Sequence, residues 1–344
     1  MKDNFKISID KDISVAQTIP SYFYKSDDIF NKTIENIFNN SWQFVVNKNS
    51  LKHKLYPFLF IEGLIDDSYV MVNGDQLKIL SNVCTHRAAL LCSENSNGST
   101  IKCNYHGRVF NLNGELIKHY GFEGVKNFPS KKDNLIKINH FDWNNFIFCS
   151  KSSNINIKKI FDDINTRLSG YKFQDLEYNK DESNTYIVDF HWALYCENYL
   201  EGFHVPFIHK GLNDDIDYSN YETIILDNAV LQLAKDKNNE IYAHYYWIFP
   251  NIMLNFYDWG LSINIITPLT KNKTKINFLS FPKKGMVQPK DTPSGIDIVE
   301  KEDQEIVKSV QIGIKSSNYS SGRYSVKHEK GIHYFHLLIS EYLK

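Results

Sequence analysis

Residues 84–107 open with Cys84-Thr85-His86-Arg87 and close with Cys103-Asn104-Tyr105-His106-Gly107. How those four side chains are interpreted decides the fold. The pattern is C-x-H-x16-C-x2-H. A lone cysteine or histidine in such a run is usually a packed side chain. Two pairs, each with a Cys just before a His and each at a strand-to-turn junction, point instead to a metal site with two unlike halves. Thiolates suit iron–sulfur or zinc, and imidazoles suit iron, zinc or copper. From about residue 46 to 150 the chain is a series of short apolar runs broken by turn residues: LYPFLFIEGLI, YVMV, LKIL, STIKCNY and RVFNLNGELI. The last holds Asn113-Gly114 between two strand-like runs, a two-residue hairpin signal. The motif therefore sits in a small all-β domain.

Two centres match the four residues. In a Rieske [2Fe–2S] centre two cysteines hold one iron and two histidines the other. Cys84, His86, Cys103 and His106 supply one ligand of each kind from each loop. A structural Cys2His2 zinc site is the competing reading. Its usual order keeps cysteines together and histidines together, whereas this chain interleaves them. Cys92 reads as a structural thiol.

Working outward, 344 residues suggest roughly two domains. A hydrophobic share of 42% supplies packed cores and argues against a disordered chain. Thirty-nine basic against forty acidic residues give no support to nucleic-acid binding. There is no polybasic segment for an anionic membrane and no apolar run of bilayer length. The N-terminal MKDNFKISIDKDIS lacks an apolar signal core, so a cytoplasmic protein is expected. Five scattered cysteines are not a disulfide framework. Residues 26–45 read as a helix capped by Ser26, with Ile29, Phe30, Ile34, Ile37 and Phe38 on one side. The polar stretch 150–159 reads as a linker. Beyond it come a helix near 191–205, strands at 221–234, 241–249, 252–266 and 275–281, and helices near 295–318 and 331–343. The expected divisions are a helical segment at 1–45 packing on the second domain, a β domain at 46–155, and that second, α+β domain at 156–344.

The second domain carries its own constellation in ENYLEGFHVPFIH (197–209). Glu201 and His204 are i,i+3 and share a helix face. His204 and His209 are i,i+5 and converge only across a break, which Pro206 supplies by disfavouring helical geometry at Val205. On the long helix, Ile296, Val299, Ile306, Val307, Val310 and Ile314 form an apolar stripe with Asp303 at its centre, while Glu302 and Glu305 lie off it. A carboxylate centred on a core-facing stripe is costly unless it is paired or ligates a metal. His204, His209 and Asp303 then make a 2-His-1-carboxylate triad for non-haem Fe(II), with positions left open. A buried salt bridge is the plainer alternative.

The two constellations, in this order, resemble the Rieske non-haem iron oxygenases. ENYLEGFHVPFIH, IFPNIMLNFYDWGLSINI and EDQEIVKSVQIGIKSSNYSSGRYS resemble more narrowly the branch of choline monooxygenase, carnitine monooxygenase and betaine demethylases. The resemblance implies an N-terminal Rieske domain, a C-terminal helix-grip catalytic domain and a head-to-tail homotrimer. It gives Glu201 the role of a bridge between a cluster histidine, His86 or His106, of one subunit and His204 of the next. It also implies O2 as co-substrate and electrons from NAD(P)H through a separate reductase. Three positions depart from the wider family: Ala88 stands where Gly is usual, Arg108 where Trp is usual, and Glu201 where the bridge is usually Asp. A small quaternary ammonium substrate such as choline, carnitine or a betaine is expected, with hydroxylation or oxidative N-demethylation as the reaction. Such cations are held by aromatic rings, and 245–259 offers Tyr245, Tyr246, Trp247, Phe249, Phe256, Tyr257 and Trp259, which as readily fill a core. The alternatives are a hydroxylase of aromatic or other substrates and a Rieske electron carrier.

Overall fold

The computed structural model describes residues 7–289 and 296–344, with side chains of the long helix described from residue 298. The chain falls into two compact units. One runs from Trp42 to Asn154; the other joins the N-terminal stretch up to Ser41 with Ile155–Lys344. The first boundary lies at 41/42 because Gln43–Asn47 is a strand paired with Phe146–Ser150 and belongs to the β unit.

The β unit holds a six-stranded antiparallel sheet in the order Gln43–Asn47, Phe146–Ser150, Lys137–Trp143, Lys78–Ser81, Ile65–Val72, Leu55–Ile61. A three-stranded sheet of Ile101–Lys102, Val109–Phe110 and Leu116–Lys118 carries the second motif loop. Cys84 and Cys103 sit in an apolar core with Leu80, Ile101, Phe110 and Leu135. Cys92 packs on the edge of that core, as a structural thiol would. The hairpin at Asn113-Gly114 forms, but not with a two-residue loop. Asn111 N–H donates to the Glu115 carbonyl, Gly114 N–H donates to the Asn111 carbonyl at 2.9 Å, and Gly114 has φ +84°. This is a three-residue loop closed by a glycine bulge. Asn111 Oδ1 draws the loop together by accepting from the N–H groups of Asn113 and Glu115.

The second unit is an α+β fold. Its seven-stranded antiparallel sheet runs Asn179–Val188, Lys273–Pro282, Gly260–Thr270, Ile252–Phe256, Ile241–Ile248, Ala229–Lys235, Glu222–Leu226. The expected strand 221–234 is a hairpin of two strands, turned at Asn228 with φ +57°. The run 252–266 likewise divides, at Tyr257–Trp259. The helix Trp192–Tyr199 packs against strand Gly260–Thr270, the long helix Ile296–Ile314 and the closing helix Lys330–Tyr342.

The N-terminal helix is shorter than 26–45. Asp27–Asn36 is helical, capped by Ser26 Oγ accepting from Ile29 N–H at 3.3 Å, and a single 3-10 turn, Phe38–Asn40, follows. The polar pair Asn39-Asn40 ends the apolar periodicity there. The long helix also departs from its expected stripe. Val307 and Ile314 are buried and Val299 and Ile306 half-buried, but Val310 is 43% exposed. Glu300, Asp303 and Gln311 share the buried face instead. The side chain of Ile296 lies outside the described residues. Among the described residues no helix is long and apolar enough to cross a membrane.

Candidate metal centres and the adjoining cavity

The two motif loops of the β unit repeat one backbone design. Cys84 N–H donates to the Ala89 carbonyl and Ala88 N–H to the Cys84 carbonyl. Cys103 N–H donates to the Arg108 carbonyl and Gly107 N–H to the Cys103 carbonyl, all at 2.8–3.1 Å. Each loop therefore turns through a residue at positive φ, Ala88 at +57° and Gly107 at +73°. Glycine is at home there and alanine pays steric strain.

These turns bring the two thiols into contact and set the His86 and His106 rings 4.6 Å apart. Both cysteines are buried and both histidines half-buried. Burial raises the Cys84 pKa. At Cys103 burial alone would do the same, but the backbone N–H groups of Tyr105 and His106 point at its sulfur and hold it below the ordinary thiol value. His86 Nδ1 is buried without a hydrogen-bond partner. Arg108, 3% exposed, lies against the stacked pair of Phe122 and Phe128 rings and donates to Thr85 Oγ1 at 3.0 Å. It places a buried cation behind the loops where the wider family has a neutral ring.

In the second unit the helix Trp192–Tyr199 ends at Leu200, so the Glu201–His204 pair is not helical. A turn carries it. Glu201 accepts from the N–H groups of Phe203 and His204, and its Oε1 meets His204 Nδ1 at 2.6 Å. Pro206 does not supply the break. It sits in the first turn of a new short helix, Val205–Ile208, where its missing N–H costs nothing. The change of direction falls instead at His209, between that helix and Lys210–Asp215, with φ −102° and ψ 75°.

The result is convergence. His204 Nε2 and His209 Nε2 are 3.1 Å apart, His209 Nε2 and Asp303 Oδ1 3.0 Å, and His204 Nε2 and Asp303 Oδ1 3.5 Å. Ligand atoms about 3 Å apart are what neighbouring positions on one ion require when each bond is about 2.1 Å long. Among the described residues this is the one group of three or more such side chains whose ligand atoms all lie within 4.8 Å of one another. The four loop residues of the β unit do not form such a group. They make a thiol pair and an imidazole pair, which suits two irons better than one tetrahedral zinc.

Sequence reasoning missed the groups behind the triad. Glu302, read as lying off the helix's working face, meets His209 Nδ1 at 2.8 Å. Burial alone would lower the His209 pKa, but the Asp303 and Glu302 carboxylates outweigh it and raise it. Asn198 Nδ2 donates to Asp303 Oδ1 at 2.6 Å. Its place three residues before Glu201 was the available signal. Glu300 accepts from the buried Tyr195 hydroxyl, and Gln311 accepts from His191 N–H.

A cavity of about 460 Å³ opens beside the triad. Of the seven rings in 245–259, Tyr245, Tyr257 and Trp259 line it; Tyr246, Trp247, Phe249 and Phe256 are fully buried elsewhere. Tyr199, Tyr221 and Tyr242, from outside that stretch, complete its aromatic lining.

Comparison with known proteins finds matches to both units. The family model for the Rieske [2Fe–2S] domain matches residues 41–129, and that for the ring hydroxylating alpha subunit (catalytic domain) matches 222–344. Choline monooxygenase, chloroplastic, of Beta vulgaris is 28% identical over 96% of this chain and 78% of its own length. The carnitine monooxygenase oxygenase subunit of Escherichia coli (strain K12) is 27% identical over 96% of this chain and 94% of its own. The crystal structure of the quaternary ammonium Rieske monooxygenase CntA superposes with a TM-score of 0.77 at 23% identity, covering 98% of this chain and 100% of that one, and so shares the fold. With a Rieske [2Fe–2S] domain and a ring hydroxylating catalytic domain matched in this order, and both relatives aligned over 96% of the chain, the chain belongs to the Rieske non-haem iron oxygenases, as a monooxygenase with a [2Fe–2S] cluster and a mononuclear iron that use O2.

Proposed function

We propose that this oxygenase hydroxylates a carbon of a small quaternary ammonium compound, with Cys84, His86, Cys103 and His106 holding the cluster and His204, His209 and Asp303 the iron. The observation that carries the reading is the juxtaposition of the triad with a cavity walled by tyrosines. Held by these residues, the cluster supplies single electrons and the iron the activation of O2. The overall step balances as C–H plus O2, two electrons and two protons giving C–OH and water. The electrons come from NAD(P)H through a separate reductase. Hydroxylation of an N-methyl carbon leaves a carbinolamine that splits into formaldehyde and the demethylated amine.

The chain's own groups do the positioning. Glu201 and Glu302 accept from the Nδ1 atoms of His204 and His209, fixing both rings with Nε2 inward. Asn198 fixes the Asp303 carboxylate. The buried tyrosines of the cavity have pKa values raised by burial, so their rings stay neutral. Neutral rings hold a cation by its attraction to their faces.

Glu201 is proposed to bridge His204 to His86 or His106 of a neighbouring copy in a homotrimer. In support, exposed rings flank both ends of that path: Phe203 and Phe207 at 40% and 73% exposure beside His204, and Tyr105 at 59% beside His106. A cytoplasmic setting is part of the proposal, and none of the five cysteines is in a disulfide.

The test is aerobic turnover with a surrogate reductase on a panel of methylated ammonium compounds and aromatic substrates, products identified by mass and formaldehyde assayed. Hydroxylated or demethylated ammonium products are expected from the wild type. Glu201→Gln is expected to bind both centres yet lose coupling of cluster oxidation to product. Turnover confined to aromatic substrates overturns the reading, and ordinary activity of Glu201→Gln removes the bridge.

A further inference from the structure

We propose that Arg108 sets the reduction potential of the cluster: its buried guanidinium charge stabilises the reduced form and so raises the midpoint. This rests on the cluster ligands proposed above and adds a group that is not itself a ligand.

Position is the first support. Arg108 follows His106 by two residues in the second motif loop. Its Nη1 donates across to the first loop, to the Oγ1 of Thr85, which stands between Cys84 and His86. The Thr85 hydroxyl donates onward to the Asp133 carbonyl at 2.7 Å. The guanidinium lies 4.7 Å from the centroid of the Phe122 ring, and the His86 ring meets that same ring edge-on at 5.1 Å. The Arg108 charge acts electrostatically on Cys84, His86 and Cys103.

The second support is how poorly that charge is neutralised. An arginine stays protonated in a protein, and this one is 3% exposed, so water screens little of it. Its Nε is buried without a hydrogen-bond partner. Asp133 Oδ1 is 3.7 Å from Nη1, too far for a hydrogen bond. The other oxygen of Asp133 accepts from Ser130 N–H and Oγ, and 20% of the side chain is exposed. Asp133 therefore offsets Arg108 only in part. Arg87, which directly follows His86, is exposed and loses most of its effect to water.

The consequence is one of charge. Reduction adds one electron to the centre, and net charge, hydrogen bonding and solvent exposure set the potential of such clusters. A cation held in a water-poor setting favours the more negative state. Arg108 therefore makes the cluster easier to fill from a donor and lowers its driving force to the next acceptor.

The experiment is a potentiometric titration of the purified holoprotein at one pH, followed by the electron paramagnetic resonance signal of the reduced cluster. It needs neither substrate nor reductase. Arg108→Gln removes the charge and is expected to weaken electron affinity roughly tenfold or more, a fall in midpoint of about 59 mV for one electron. Arg108→Lys is expected to return most of that fall. Asp133→Asn removes the opposing charge and is expected to raise the midpoint, a sign that mere loosening of the loops does not produce. A wild-type midpoint in Arg108→Gln, a midpoint in Arg108→Lys as low as in Arg108→Gln, or a midpoint in Asp133→Asn at or below wild type overturns the role. Should Arg108→Gln assemble no cluster, Asp133→Asn alone decides by the same sign. Wild-type protein without a Rieske signal overturns the ligand reading itself.

Discussion

His209 shows how the site is built at the scale of single residues. Its ring is buried, its Nε2 faces His204 and Asp303, and its Nδ1 is backed by Glu302. An anionic acceptor behind a ligating imidazole fixes the tautomer and strengthens the ligand. Glu302→Gln is expected to weaken mononuclear-iron affinity roughly tenfold or more with the Rieske signal intact. Iron titration of the apo-triad with electron paramagnetic resonance of the cluster checks this, and unchanged affinity would dismiss the role. The ligand candidates were legible because their residue types are few and their spacings informative: Cys-x-His, Cys-x2-His, and a carboxylate inside an apolar stripe. Glu302 was not. Periodicity sorts a helix into buried and exposed faces, and a group working from the border of the two, its side chain 37% exposed, belongs to neither.

At the scale of elements, the approach of two helix ends sets Glu201 in place. A Cβ built on Gly331 at the start of the closing helix would lie 2.4 Å from the Leu200 carbonyl oxygen. Leu200 caps the helix from which the Glu201 turn departs. Gly331→Ala therefore forces a side-chain carbon against the Leu200 backbone, with an expected cost of about 1–3 kcal/mol and a displaced Glu201 turn. Thermal melts and the rate of cluster oxidation during turnover measure it, and wild-type values for both would show that the contact relaxes freely. The bounds of the two C-terminal helices and of the strands at 241–249 and 275–281 were legible to within a few residues, while the run 252–266 proved to be two strands. The failures have local causes. The hairpin loop was lengthened by Asn111 bonding within it, and the helix at 26–45 was cut short by a polar Asn pair. The Pro206 break proved to be a helix start, because proline in a first turn forfeits no hydrogen bond.

At the scale of the molecule, the order of the two constellations along the chain indicated two domains, one β and one α+β, and that division carried the family resemblance. The substrate was the least legible part. A cavity gathers residues from remote strands and helices, and the aromatic stretch 245–259 sends four rings into the core and only three toward the cavity. The account stands on two separate iron centres, one on each unit. Metal and acid-labile sulfide analysis of the wild type beside Asp303→Ala tests it most directly. The expected result is about three irons and two sulfides per chain in the wild type. Asp303→Ala should hold about two irons and two sulfides per chain with an undiminished Rieske spectrum. Zinc in place of the sulfide-bridged pair, or a full complement of three irons in Asp303→Ala, would contradict it.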